Sequence, residues 1–205
     1  FIPTEENKIS PTIHKTSIDG LFYIPHKTFL DDRGFYSELC RIPEIEELTK
    51  DNFVVKQLNQ SRSNQNVTRG IHAESWNKLI NVTSGICYCV LVDLRPDSST
   101  FGKYESFYLG ENEKNALSMD DKTKDLNVLD GAIYTSSGIG NSLCVVKGPA
   151  DYIYAVDAIW AERDTSGDKA INLFDKDLNI DWPIPREKMI LSQQFYMFLW
   201  VGQLF

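Results

Sequence analysis

Apolar and polar residues recur along most of this chain at the spacing of strands, with little helical period. Residues 21–24 form a first strand candidate, ended by Pro25. Residues 28–34 read as a turn, and 35–39 as the strand after it. Residues 43–50 carry the one clear helix signal, with Pro43 near the start and Ile45 and Leu48 three apart on one face. Strands are predicted at 54–61 and 79–83. Residues 86–92 are apolar throughout, as expected of a buried strand. Further strands are expected at 104–109, 132–135, 143–147, 152–156 and 170–174. Residues 1–20, with Pro3 and Pro11, read as an irregular arm, and the polar stretch 111–130 reads as a loop insertion. Many short strands joined by turns point to an all-β sandwich or barrel, and the absence of a linker or repeat points to one domain over residues 1–205.

Composition narrows the function. A chain of 205 residues with 42% hydrophobic and 12% aromatic content has enough material for a buried core. Its net charge of −8 argues against nucleic acid or an anionic membrane as partner. The apolar tail, residues 195–201, is far shorter than the roughly 20 residues of a membrane span, and is expected to pack on the core or on a second subunit. The cysteines (Cys40, Cys87, Cys89 and Cys144) contain no C-x-x-C pair, which disfavours a zinc site. No secretory leader is visible, so the expectation is a cytoplasmic protein with free thiols.

The chemistry concentrates at Arg69-Gly70-Ile71-His72-Ala73-Glu74-Ser75-Trp76-Asn77-Lys78, between two predicted strands. A base flanked by two cations beside a rigid sheet suits an anionic substrate. A partly buried histidine next to ordinary surface charges would look the same, so the stretch alone decides nothing.

Motif order decides more. Phe29-x-Asp31-x-Arg33-Gly34 with Glu38 is followed by Gln57-x-Asn59-x-Ser61 and by Arg69-Gly70-Ile71-His72. Val92-Asp93-Leu94-Arg95, Phe101-Gly102, and Asp175 through Trp182-Pro183 complete the series. In this order the motifs resemble the dTDP-4-dehydrorhamnose 3,5-epimerase family, nucleotide-sugar epimerases of jelly-roll (cupin-type) fold, over residues 29–192. The resemblance implies an isomerase without a cofactor, acting on a nucleotide-diphosphate 4-keto-6-deoxy sugar at C3, C5 or both, in deoxysugar or polysaccharide biosynthesis. It implies His72 as the base, Lys78 as the cation at the enolate oxygen, and Tyr154 as the proton donor on the other sugar face. Arg33 and Arg69 match substrate and diphosphate contacts, and Gln57, Asn59 and Glu38 match further substrate-binding positions. The segment around Phe29 and Arg33 is expected to reach a neighbouring subunit's site, which implies a homodimer.

This chain also departs from the family pattern. The late motif that supplies an aspartate to steady the base reads Leu191-Ser192-Gln193-Gln194-Phe195 here, leaving Asp175 as a candidate substitute. Trp160 stands where a tyrosine is usual, with a ring able to stack on a base or sugar. Asn141 stands where a histidine is common; it can hydrogen-bond a substrate but cannot titrate. The interval from His72 to Lys78 is short. Two alternatives stay open: a ketoisomerase on a similar substrate, and a non-catalytic nucleotide-sugar binder. With only His14, His26 and His72 and no H-x-H, a catalytic metal is not expected.

Overall fold

The computed structural model describes residues 1–50, 53–112, 123–193 and 201. Three short strands, β1 (Lys8–Ser10), β2 (Ile13–Lys15) and β3 (Leu21–Pro25), open the chain. A separate two-stranded hairpin follows, β4 (Lys27–Asp31) with β5 (Gly34–Glu38), and then helix α1 (Ile42–Thr49). The remaining strands are β6 (Gln57–Ser63), β7 (Thr68–Ala73), β8 (Lys78–Asp93), β9 (Tyr104–Gly110), β10 (Val128–Leu129), β11 (Gly131–Thr135), β12 (Ile139–Val156) and β13 (Lys169–Ala170).

The architecture rests on one antiparallel ribbon, β8 against β12. Its register runs from Val156 opposite Lys78 to Ile139 opposite Asp93. The first part of β8 pairs with β11, and the matching part of β12 with β6. The other part of β8 pairs with β9, and that of β12 with β7. Asn141 lies opposite Leu91, thirteen residues beyond Lys78, or roughly 40 Å along an extended strand. The Lys78 ammonium nevertheless hydrogen-bonds the Asn141 side chain, so the ribbon must fold over on itself. The bend falls where the register slips between Val145 and Tyr152, opposite Gly85. Gly85 has φ +72°, and a Cβ there would sit 2.6 Å from the Lys147 carbonyl oxygen; only glycine fits.

Folding over yields the two facing layers of a jelly-roll β fold, and strand alternation sorts the side chains. Ile80, Val82 and Tyr152 from one layer meet Cys89, Leu91, Leu143, Val145 and Phe107 from the other in the central core. Both outer faces are covered as well. Leu79, Ala132 and Tyr134 pack under Ile45 of α1 and Phe53. Ile71, Val90 and Val92 pack under the C-terminal segment, including Leu173, Leu178 and Val201. Burial on both sides explains why residues 86–92 carry no polar alternation.

Several sequence expectations are corrected. The two pairs of strands predicted at 79–83 with 86–92, and at 143–147 with 152–156, are the single strands β8 and β12. Residues 28–31, read as part of a turn, belong to β4, and the arm contains β1 and β2. The strand predicted at 54–61 spans Gln57–Ser63, and that at 170–174 is reduced to Lys169–Ala170. Of the expected insertion, residues 113–122 lie outside the described residues, as does all of the apolar tail except Val201.

The Asp93-Leu94-Arg95 motif closes β8. Asp93 is fully buried and accepts hydrogen bonds from Arg95 Nε (2.8 Å), Ser98 Oγ (2.5 Å) and Thr100 Oγ1 (2.6 Å). Burial alone would raise its pKa, but the Arg95, Ser98 and Thr100 donors outweigh it and hold the carboxyl at about 2. A depressed carboxylate stabilises the fold above its unfolded pKa and ceases to do so as pH falls through the folded one. Asp93→Asn is therefore expected to cost about 3 kcal/mol at pH 7. Urea unfolding should show the gap from wild type closing as pH drops below about 4.

Candidate active site

The cavity holding the central motif lies between the two layers and has a volume of about 260 Å³. Its walls include Arg69, His72 and Glu74 on or just after β7, with Lys78 at the start of β8. Asn141, Tyr152 and Tyr154 come from β12, and Ser61 from β6. His72 pairs with Asn141 in one layer, whereas Tyr154 pairs with Asn59 and Ile80 in the other. The imidazole and the phenol thus approach the cavity from different layers of the folded-over sheet.

Strand chemistry sets these positions. Gly70 has φ +108°, and a Cβ there would lie 2.6 Å from the Asn141 carbonyl oxygen, so glycine lets β7 close against β12 beside His72. Arg69 is anchored by its Nε donating to Ser63 Oγ at 3.0 Å and by its carbonyl accepting from Ser142 Oγ at 2.8 Å. Tyr152 and Tyr154, two apart on β12, share a face with ring centroids 5.9 Å apart.

Charge is arranged inside the cavity. The Lys78 side chain is 5% exposed, and its ammonium donates to Glu74 and to Asn141. Asn141 in turn donates to the Tyr152 hydroxyl at 3.2 Å. Burial pushes the Lys78 pKa down, while Glu74 pulls it back up. Burial also lowers the His72 pKa, with Glu74 and Asp168 opposing and Lys78 reinforcing the shift, so the imidazole is neutral at pH 7. Burial raises the Tyr154 pKa, and Glu74 adds to the rise, so the phenol keeps its proton. A neutral base, a buried cation and a protonated phenol face one space, the set needed to remove a proton beside a carbonyl and return one.

The sequence-nominated residues divide. His72, Lys78, Tyr154, Arg69 and Asn141 converge on the cavity. Gln57 and Asn59 extend the same row on β6, where Gln57 Nε2 donates to Asn59 Oδ1 at 2.7 Å and Gln57 Oε1 accepts from the Trp160 backbone N–H at 2.8 Å. Trp160 is exposed at the end of this row. Phe29, Arg33 and Glu38 lie on the β4–β5 hairpin; Arg33 pairs with Asp31, and Glu38 with Arg41 at 3.0 Å. Asp175 does not line the cavity. Its buried carboxylate accepts backbone N–H bonds from Asp177 (2.8 Å), Leu178 (3.1 Å) and Val201 (2.6 Å), and so caps a turn. Phe195, the other half of that expectation, lies outside the described residues. Ser61 stood in a quoted motif without a role, and Glu74 and Tyr152 were not anticipated, although Glu74 follows His72, and Tyr152 precedes Tyr154, at the two-residue spacing that shares a strand face.

Comparison with known proteins shows what the chain as a whole is similar to. A family model described as dTDP-4-dehydrorhamnose 3,5-epimerase matches residues 15–124. The chain is 28% identical to the dTDP-4-dehydrorhamnose 3,5-epimerase of Shigella flexneri over 189 residues, covering 88% of this chain and 94% of that one. The crystal structure of the same-named enzyme from Elizabethkingia anophelis superposes with TM-score 0.77 at 28% identity, covering 93% of this chain and 96% of that one. A dTDP-6-deoxy-D-glucose-3,5-epimerase from Legionella pneumophila, solved with dTDP-4-keto-L-rhamnose, superposes with TM-score 0.75 at 28% identity, covering 93% and 92%.

Proposed function

The chain belongs to the dTDP-4-dehydrorhamnose 3,5-epimerase family, and from that premise we propose that it inverts C3, C5 or both of a nucleotide-linked 4-keto-6-deoxy sugar. The observation that carries this reading is the convergence of His72, Lys78 and Tyr154 on one cavity from two layers. The 4-keto group acidifies the neighbouring C–H bonds, because the electron pair left behind delocalises onto oxygen. His72 takes the proton, the Lys78 ammonium stabilises the enolate oxygen, and Tyr154 returns a proton from the other layer. Arg69 supplies a guanidinium suited to diphosphate oxygens. Asn59 offers a buried amide nitrogen with no partner among the described residues, a donor for the sugar or the nucleotide.

The same reading assigns Phe29 and Arg33 to a neighbouring subunit's site in a homodimer. The hairpin supports this, since Phe29, Leu30, Phe35 and Tyr36 are all more than half exposed on it. Among the described residues no helix is long and apolar enough to cross a membrane. Free Cys40, Cys87, Cys89 and Cys144 suit the reducing cytoplasm assigned here.

Incubation of dTDP-, GDP- and CDP-linked 4-keto-6-deoxy sugars with the protein in D2O, followed by NMR, tests the function. Deuterium is expected at C3, C5 or both, in inverted product. Binding of these sugars without deuterium entry into any of them would overturn the epimerase reading and leave a binding protein.

A further inference from the structure

The cavity contains one carboxylate to which no motif assigned a role. Glu74 follows β7 directly and shares the His72 side of the strand. Its backbone is fixed, because the Gly138 N–H donates to the Glu74 carbonyl at 3.3 Å and Ser137 Oγ does so at 3.5 Å. Its side chain is 20% exposed and accepts from the almost wholly buried Lys78 ammonium.

The surrounding charges single out Glu74. His72 faces Glu74 from its own strand, Lys78 from β8 and Asp168 from the loop before β13. Lys78 faces Glu74, Asp168 and Arg163, and its nitrogen lies 5.7 Å from the Tyr154 ring centroid. Asp168 is already committed: both its oxygens accept from Arg163, at 2.5 and 2.6 Å, and that guanidinium stacks 4.5 Å from the Trp76 ring. Among the carboxylates of the described residues, only Glu74 hydrogen-bonds Lys78 while also lying beside His72.

Resting on the epimerase reading, we propose that Glu74 is a positioning residue, holding Lys78 as a charged ammonium over the enolate oxygen and offsetting the imidazolium that forms when His72 takes the sugar proton. The proton moves from carbon to imidazole, and its electron pair moves to the carbonyl oxygen. Two cations, the partly buried His72 and the almost wholly buried Lys78, then face one another in the cavity. Without a carboxylate between them their repulsion would oppose the step. Glu74 acts through both groups and touches neither reacting atom.

The experiment compares wild type, Glu74→Gln and Glu74→Asp by the pH dependence of kcat/KM for deuterium entry into the dTDP-linked 4-keto-6-deoxy sugar. Removing the negative charge lowers the pKa of His72, Lys78 and Tyr154 alike, because Glu74 raises all three. Both limbs of the Glu74→Gln profile are therefore expected at lower pH, with a loss at neutral pH of at least about tenfold, partly restored in Glu74→Asp. Calorimetric affinity for dTDP should stay within twofold, as a check that the fold is intact. The His72 ring-proton resonance, assigned by its absence in His72→Ala, should also titrate at lower pH in Glu74→Gln. A Glu74→Gln profile that superimposes on wild type, with an unmoved His72 titration, overturns this role even if activity falls. No deuterium entry with wild type overturns the epimerase reading, and this proposal with it.

Discussion

Replacing His72 by alanine is expected to slow solvent deuterium entry into a 4-keto-6-deoxy nucleotide sugar by about 10²- to 10⁴-fold, the usual contribution of a positioned general base. His72 is the neutral imidazole of the cavity, with its pKa held down by burial, so it is ready to accept a proton at pH 7. Arg69 and Asn59 keep their places on β7 and β6, so nucleotide affinity should change by no more than a few-fold. The result to look for is a fall in kcat with little change in dTDP binding. Deuterium entry above a tenth of the wild-type rate would show that another group removes the proton.

Tyr154→Phe is expected to separate exchange from inversion. The variant keeps the ring, which lies 5.9 Å from Tyr152 and 5.7 Å from the Lys78 ammonium, and loses only the hydroxyl. With the base intact on the opposite layer, deuterium should still enter, but from the His72 side and with retained configuration. Inverted product should fall about 10²-fold, the lower end of what a positioned proton donor contributes. Because burial raises the Tyr154 pKa, wild type should keep its inversion rate as far as pH 9 if this phenol alone limits the alkaline side. Proton–proton coupling constants across the sugar ring distinguish retained from inverted product. Inversion at the wild-type rate in Tyr154→Phe would assign the donor elsewhere, with Tyr152 the nearest candidate.

What could be read in the sequence followed the range of the forces that made it. His72 and Arg69 were identifiable because they lie within a few residues of one another on one strand, and helix α1 because Pro43, Ile45 and Leu48 mark it locally. Strand continuity could not be read. Gly85 and the Gly148-Pro149 pair look like strand ends, yet they lie where β8 and β12 bend and continue. Turn chemistry in Asp31-Asp32-Arg33-Gly34 was extended backward over residues that pair in β4. Asp175 has the same appearance in sequence whether it steadies a base or caps a turn; only the partners of its oxygens separate the two. Glu74 was overlooked because its partner Lys78 was read only as a cation for the substrate. The spacing of four residues carried no meaning until the turn between β7 and β8 brought them together.

The folded-over ribbon has a consequence for when activity arises as the chain folds. Lys78 meets Glu74 four residues away but meets Asn141 across 63. The base and the donor sit toward opposite ends of β12's register, and neither layer alone contains both. Contacts between residues so distant in sequence form late, after the loop entropy separating them has been overcome. Turnover therefore reports closure of the whole ribbon, and an intermediate with either layer formed by itself would be inert.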